Sequence, residues 1–135
     1  MFDLWIDHGV APQEGSYEYV VVSGATAAEV AKRSAHPDVE VLSNTKSVQA
    51  VYDKSLKLAE IAFREAGSLM IPLGKVEADH SCLLLVRQVA EGWRVTASNP
   101  ENQPLTLHVM VKGMQGTIEL PGGNFAGSSV LVDVR

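Results

Sequence analysis

Residues 82–111, CLLLVRQVAEGWRVTASNPENQPLTLHVMV, contain three apolar runs separated by residues that favour turns. The runs occupy residues 82–89, 93–98 and 105–111. Glu91-Gly92 and Asn99-Pro100 stand between them. Short apolar runs bounded by such turn residues are typical of β-strands that pair with their neighbours along the chain. This stretch therefore predicts three consecutive strands of an antiparallel sheet.

The same pattern of short runs and turns continues on both sides of this stretch. Further strands are predicted at residues 39–42, 48–52, 68–73, 117–120 and 130–134. The composition of residues 54–66 suits a helix, but their apolar residues recur in two-residue steps, at Leu56, Leu58, Ile61 and Phe63. We predict a strand there, with a helix as the alternative. Many short strands spaced by turns predict an all-β fold, an antiparallel β-sandwich.

The N-terminal part of the sequence has a different organisation. Apolar and polar residues alternate over residues 2–7, and residues 16–22 are rich in Tyr and Val, so the two segments predict a β-hairpin with a wide loop. Thr26 and Glu29 have the spacing of a capping box, which predicts a short helix over residues 27–34. Pro37 ends this helix, because the residue before a proline avoids the helical conformation. The hairpin and the helix therefore precede the sandwich.

The charge balance disfavours nucleic acid and membranes as partners. The chain has 11 basic and 16 acidic residues, with a formal net charge of −5. Nucleic-acid binding normally needs a basic surface, and no apolar stretch approaches the roughly 18 residues of a membrane span. An acidic polysaccharide would be repelled on average, although a local patch could still bind one.

No arrangement typical of a metal or nucleophile site emerges from the sequence. Three histidines lie near a carboxylate in the chain, in Asp7-His8, His36-Pro37-Asp38 and Asp79-His80, but none has zinc-ligand spacing. The glycine-rich loop 122–128 lacks the lysine of a phosphate loop, and the sequence contains no Gly-x-Ser-x-Gly elbow. The single cysteine, Cys82, is interpreted as a buried core residue. We expect no catalytic residue, metal ion or cofactor here.

Aromatic side chains are candidates for sugar contacts, because sugar rings stack on aromatic faces. Trp93 shares a predicted strand face with Val95 and Ala97, which favours a position in the core. Trp5 lies on the strand face opposite its apolar neighbours. Trp5 and Tyr52 are therefore predicted as the carbohydrate-binding residues, if the chain binds sugar at all.

The segment Leu4-Trp5-Ile6-Asp7-His8-Gly9, followed by Pro12 and residues 16–22, resembles a family of polysaccharide lyases that includes hyaluronate lyase, chondroitin AC lyase and xanthan lyase. The resemblance continues through residues 39–45 and 48–51 and, more weakly, through residues 82–86 and 95–100. Asp7, His8 and Gly9 form its most specific part and are interpreted as a structural hairpin motif. Asn99 departs from this family, in which an acidic residue is common at that position.

The resemblance implies a place for each segment in such a lyase. Residues 1–24 would be a hairpin at the end of the central β-domain, residues 25–39 a helical connection, and residues 40–135 the C-terminal β-sandwich. The family cleaves uronic-acid-containing chains by β-elimination, with catalytic residues mainly in an N-terminal helical toroid. His8 and Tyr17 are therefore not matched to the family's catalytic His and Tyr. Such lyases are exported, so a secreted or periplasmic location is expected.

Three functions are consistent with these patterns. The leading hypothesis is a non-catalytic, accessory portion of a lyase, whose partners are the catalytic and central domains of the parent protein. The second is a free-standing carbohydrate-binding module, with polysaccharide as its ligand. The third is an independent enzyme. Self-association is also predicted, because a lyase portion on its own would expose apolar surface that its parent covers.

Overall fold

The computed structural model describes residues 6–13 and 15–135. These residues form two compact units, one extending to His36 and the other spanning Pro37–Arg135. The first unit contains helix α1 (Ala27–Ala35). The second contains the strands β1 (Val39–Asn44), β2 (Val48–Asp53), β3 (Leu58–Phe63), β4 (Gly67–Ile71), β5 (Gly74–Ala78), β6 (Cys82–Val89), β7 (Gly92–Ser98), β8 (Leu105–Val111), β9 (Met114–Leu120) and β10 (Val130–Val134), with a short 3₁₀ turn at Gly123–Phe125.

The strands form two antiparallel sheets that enclose one core. The six-stranded sheet has the order β1-β2-β3-β6-β7-β10, and the four-stranded sheet has the order β4-β5-β8-β9. Side chains alternate between the two faces of a strand, so Cys82, Leu84 and Val86 of β6 are buried whereas Leu83 and Leu85 are exposed. The predicted all-β sandwich with one short helix is confirmed.

The core follows this alternation in both sheets. Phe63, Leu84 and Val95 of the six-stranded sheet are fully buried together with Leu107 and Ile118 of the four-stranded sheet. Burying each such side chain contributes roughly 1.5–3 kcal/mol relative to leaving it exposed. The core therefore depends on the inward-facing positions of strands from both halves of the sandwich.

Two segments show where the sequence pattern succeeded and where it failed. Residues 58–63 form a strand, as the two-residue steps predicted, and the helical alternative is wrong. Strand β5 is absent from the predicted strands, because Gly74 directly follows the predicted strand at residues 68–73 and glycine favours turns. Gly74 in fact begins the strand and pairs with Ile71 of β4, while Val76 behind it is completely buried. Strand β5 has only five residues, and two of them are charged and point outward. Its apolar pattern is therefore too short to predict a strand.

Helix α1 forms as its capping box predicts. The Thr26 hydroxyl accepts a hydrogen bond from the Glu29 backbone N–H, and the Glu29 carboxylate accepts one from the Thr26 backbone N–H. The helix ends at Ala35, and its C-cap residue His36 stands immediately before Pro37. None of its residues is buried, so the caps, rather than packing, hold this short helix.

The predicted N-terminal hairpin stays a prediction. Residues 1–5, which include most of its first strand, lie outside the described residues. Residues 16–22 are described and form no strand. A strand is stabilised by backbone hydrogen bonds to a neighbouring strand, and none of the described strands pairs with this segment. The predicted domain boundaries at residues 24 and 39 also stay predictions.

Candidate functional site

The outward side of the six-stranded sheet carries a group of aliphatic residues that the sandwich core does not cover. Leu83, Leu85 and Leu131 are 42%, 41% and 56% exposed. We call this surface the aliphatic face and define it by Val41, Val51, Ala62, Leu83, Leu85 and Leu131. A shallow groove crosses its central strands. Exposed clusters of apolar side chains commonly mark an interaction site.

The strand register aligns one row of the aliphatic face across all six strands. The directly opposed residues in this row are, in order, Val41, Val51, Glu60, Leu85, Thr96 and Leu131. Glu60 therefore stands between Val51 and Leu85, which are its cross-strand neighbours. Along its own strand, Leu58 and Ala62 point to the same side. An acidic side chain thus lies at the centre of an aliphatic surface.

Glu60 has no hydrogen bond or ion pair with any of the residues that the structure describes. Arg87 lies on the same side of the sheet, opposite Leu58, and it too forms no ion pair within the described part of the chain. The two residues occupy adjacent strands two positions apart, which makes them diagonal neighbours at about 7–8 Å. The face therefore presents one exposed anion and one exposed cation without a described partner.

A bidentate ion pair marks the rim of the aliphatic face next to Arg87. The Arg94 guanidinium donates hydrogen bonds to both Asp133 carboxylate oxygens, over 2.9 and 3.1 Å. These hydrogen bonds lower the pKa of Asp133 and raise that of Arg94. Because Arg94 and Asp133 face each other on β7 and β10, the pair fixes the edge strand in register.

A second polar group lies on the other sheet, where Asp79 contacts two histidines. Its Oδ2 is 2.7 Å from Nδ1 of His108, and its Oδ1 is 2.9 Å from Nδ1 of His80. The same Oδ1 accepts a hydrogen bond from the His108 backbone N–H. Burial would raise the pKa of Asp79, but these hydrogen bonds outweigh it and lower the pKa to about 2. The ionised Asp79 carboxylate thus stabilises the turn between β5 and β6 through these hydrogen bonds.

These ionisable groups are better suited to stabilising the fold than to transferring protons. A general base near neutral pH needs a pKa close to that pH, and that of Asp79 is about 2. Burial raises the pKa of the Cys82 thiol to about 12, with a further contribution from the Asp79 charge, so the thiol stays protonated. Among the described residues, no cluster of three or more His, Cys, Asp or Glu side chains could hold a metal ion.

The predicted sugar-binding residues have different outcomes. Trp5 lies outside the described residues. Tyr52 is 8% exposed and belongs to the core, so its burial disfavours the predicted role as a stacking platform. Tyr17 and Tyr19 are instead the exposed tyrosines, at 59% and 64%, with ring centroids 6.1 Å apart. Trp93 is buried beside Val95 and Ala97, as predicted.

The Asp7-His8-Gly9 motif contains one local hydrogen bond. The Gly9 backbone N–H donates a 2.7 Å hydrogen bond to Asp7 Oδ1, and Gly9 adopts a φ of 77°. Glycine tolerates this left-handed conformation because it has no Cβ. The His8 ring lies 6.0 Å from the Tyr17 ring, centroid to centroid. The Asp7 carboxylate therefore bonds within the motif, while the role of the motif as a hairpin corner stays a prediction.

The sequence pattern did not reveal the aliphatic face. The uninterrupted run Cys82-Leu83-Leu84-Leu85-Val86 resembles a strand buried on both sides. In the structure only alternate residues of the run are buried. Finding the face required the register that places Leu85 beside Glu60, a long-range pairing that the local pattern does not contain.

Within the described residues, no helix has the length and apolar character needed to cross a membrane.

Comparison with known proteins gives matches that include the strands of the sandwich. Residues 40–108 match the sequence model of a family described as polysaccharide lyase family 8, C-terminal beta-sandwich domain. Chondroitinase-AC of Pedobacter heparinus is 29% identical over 136 residues, covering 96% of this chain and 19% of the relative. Hyaluronate lyase of Thermasporomyces composti is 34% identical over 108 residues, covering 78% of this chain and 13% of the relative. The chain thus spans a fifth or less of either relative.

Solved structures give the same fold. A chondroitinase AC lyase studied as oligosaccharide complexes matches with a TM-score of 0.64 and 24% identity, covering 80% of this chain and 17% of the solved chain. A chondroitin AC lyase of Streptomyces coelicolor A3 matches with a TM-score of 0.64 and 21% identity, covering 82% and 17%. At these identities the matches establish the sandwich architecture and nothing about activity.

Proposed function

Because the chain belongs to polysaccharide lyase family 8 and contains the C-terminal β-sandwich domain of that family, we propose that it is a non-catalytic structural module of a larger lyase. Its role is to complete the β-rich part of the parent protein and to pack against the catalytic and central domains. The family match over residues 40–108 supports this proposal most strongly, because those residues run from β1 into β8 of the sandwich.

The chemistry of the ionisable groups also supports a structural role. Asp79 is held ionised by hydrogen bonds from two histidines, and the Cys82 thiol is buried and protonated. Neither group suits proton abstraction or nucleophilic attack near neutral pH. The Arg94–Asp133 pair is likewise committed to holding two strands together.

The parent protein in this proposal cleaves uronic-acid-containing polysaccharides by β-elimination. One group neutralises the uronate carboxylate, which makes the neighbouring C5 proton acidic. A base removes that proton and an acid protonates the departing glycosidic oxygen. The residues for these steps belong to other domains of the parent. An exported, secreted or periplasmic protein fits such a polymeric substrate.

Deletion in a relative tests the structural role. Removing the segment of Pedobacter heparinus chondroitinase-AC that matches this chain should lower the melting temperature of that enzyme, because apolar surface of its other domains loses its cover. Grafting this chain in place of the deleted segment should recover part of the loss. A deleted enzyme that melts normally and loses only its turnover would instead indicate a catalytic role.

A second candidate function is carbohydrate binding, and Tyr17 and Tyr19 favour it. Their rings are exposed and lie within one stacked pair, and aromatic faces are what sugars stack on. Titration calorimetry with chondroitin sulfate, hyaluronan and xanthan fragments tests it. Binding heat that disappears in Tyr19→Ala would support this function over the structural module, whereas no heat would remove it.

A further inference from the structure

From the self-complementary charges of the aliphatic face, we propose that this surface binds a second copy of the chain. The interface is the aliphatic face itself, and Glu60 of each copy pairs with Arg87 of the other. This inference concerns the chain alone and does not rest on the proposed role in a lyase.

The first observation is that the aliphatic face exposes several large apolar side chains. Leu83, Leu85 and Leu131 remain 41–56% exposed in the single chain. Removing such side chains from water is the main favourable contribution to association. The outward surface of an antiparallel sheet can also pack against another sheet at about 10 Å.

The second observation is the pair of charges. Glu60 and Arg87 project from the same side of adjacent strands, and neither has an ion-pair partner among the residues described. A two-fold axis that lies in the interface between these two residues brings Glu60 of one copy to Arg87 of the other, and the reverse. One symmetry operation then forms two equivalent ion pairs, as an isologous interface requires.

The same charges disfavour the alternative occupants. The face offers aliphatic side chains and no aromatic ring for a sugar to stack on. The central Glu60 carboxylate would repel the carboxylates of a uronic-acid polysaccharide. A different protein surface would need its own cation and anion in matching positions, whereas a second copy supplies them automatically.

Sedimentation velocity of the full chain at rising concentration tests the proposal. We expect a concentration-dependent dimer, and we expect Glu60→Arg or Arg87→Glu to raise its dissociation constant about tenfold or more, because like charges then meet twice. The matched control is Glu119→Arg, which reverses an exposed carboxylate on the four-stranded sheet and should leave the dimer unchanged.

Mixing the two variants makes the test specific. A chain with Glu60→Arg and a chain with Arg87→Glu present opposite charges at both contacts, so the mixture should recover the dimer that each variant has lost. Circular dichroism confirms that each variant is folded.

Three outcomes would overturn the proposal. The first is a wild-type chain that stays monomeric at every concentration tested. A monomer that binds polysaccharide through this face belongs to this outcome. The second is a dimer that Glu60→Arg does not weaken. The third is a mixture of folded variants that does not reassociate.

Discussion

Among single residues, Gly92 is the described glycine at which an added Cβ would come closest to a backbone atom of another strand. It follows the turn between β6 and β7, with a φ of 107°, and a Cβ there would clash with the carbonyl oxygen of Val134. The sequence identified Glu91-Gly92 as a turn. It could not show that the end of β10 passes over the glycine, because β10 lies about 40 residues further along the chain.

Gly92→Ala is therefore expected to destabilise the sandwich strongly. The left-handed backbone and the clash with β10 together cost about 3 kcal/mol of unfolding free energy. Urea unfolding measures this loss. Gly113→Ala is the matched control, because Gly113 has a φ of 86° but open space around it, so only about 1–2 kcal/mol should be lost. Equal losses in the two variants would contradict the close approach of β10.

Asp79 makes a prediction about pH. Its folded-state pKa of about 2 lies below its ordinary value of 3.8, so its stabilising effect is present above pH 3.8 and is lost as the pH falls towards 2. Asp79→Asn should cost about 1 kcal/mol at neutral pH, a figure reduced from the full pKa shift because the side chain is 37% exposed.

Urea unfolding of the Asp79→Asn variant and the wild-type chain across this pH range measures the effect. The two unfolding free energies should converge as the pH approaches 2, because the wild-type carboxylate is then protonated. A difference that stays constant down to that pH would show that Asp79 does not act through its charge.

At the scale of elements, local sequence patterns predicted most strands of the sandwich. Strands β6, β8 and β10 have the predicted bounds, because their apolar runs end at clear turn residues. Strand β5 was missed, since its outward Lys75 and Glu77 leave only two inward residues to signal it. Residues 16–22 have strong strand composition yet form no strand. Composition predicts a strand only where a neighbouring strand is available to pair with it.

Helix α1 depends on its N-terminal cap, which gives a prediction at this scale. Thr26→Ala removes the hydroxyl that accepts the Glu29 N–H hydrogen bond and should cost about 1 kcal/mol of helix stability. Hydrogen exchange of the amides of residues 27–35 should become faster while the sandwich amides are unaffected. Ser34→Ala, in the last turn, is the control and should not speed exchange. Unchanged exchange in Thr26→Ala would mean that tertiary contacts hold the helix.

At the scale of the whole molecule, the sequence predicted the sandwich and the family but not the surface features of the sandwich. Alternation along each strand gave the core residues, such as Trp93 and Val95. The aliphatic face and the Asp79 contacts depend on which strands become neighbours. That pairing joins residues far apart in the chain, such as His108 and Asp79, which are 29 positions apart. Tyr52, a predicted sugar-binding residue, lies on the inward side of its strand, which the local pattern did not identify.

In the proposed role, this chain serves a lyase without cleaving polysaccharide itself. Incubation of the purified chain with chondroitin sulfate, hyaluronan and xanthan, followed by ultraviolet absorbance of the unsaturated uronate that β-elimination produces, tests this role. Chondroitinase-AC of Pedobacter heparinus serves as the positive control. We expect no rise in absorbance from this chain with any of the three polymers. A rise that scales with the concentration of the chain would contradict it.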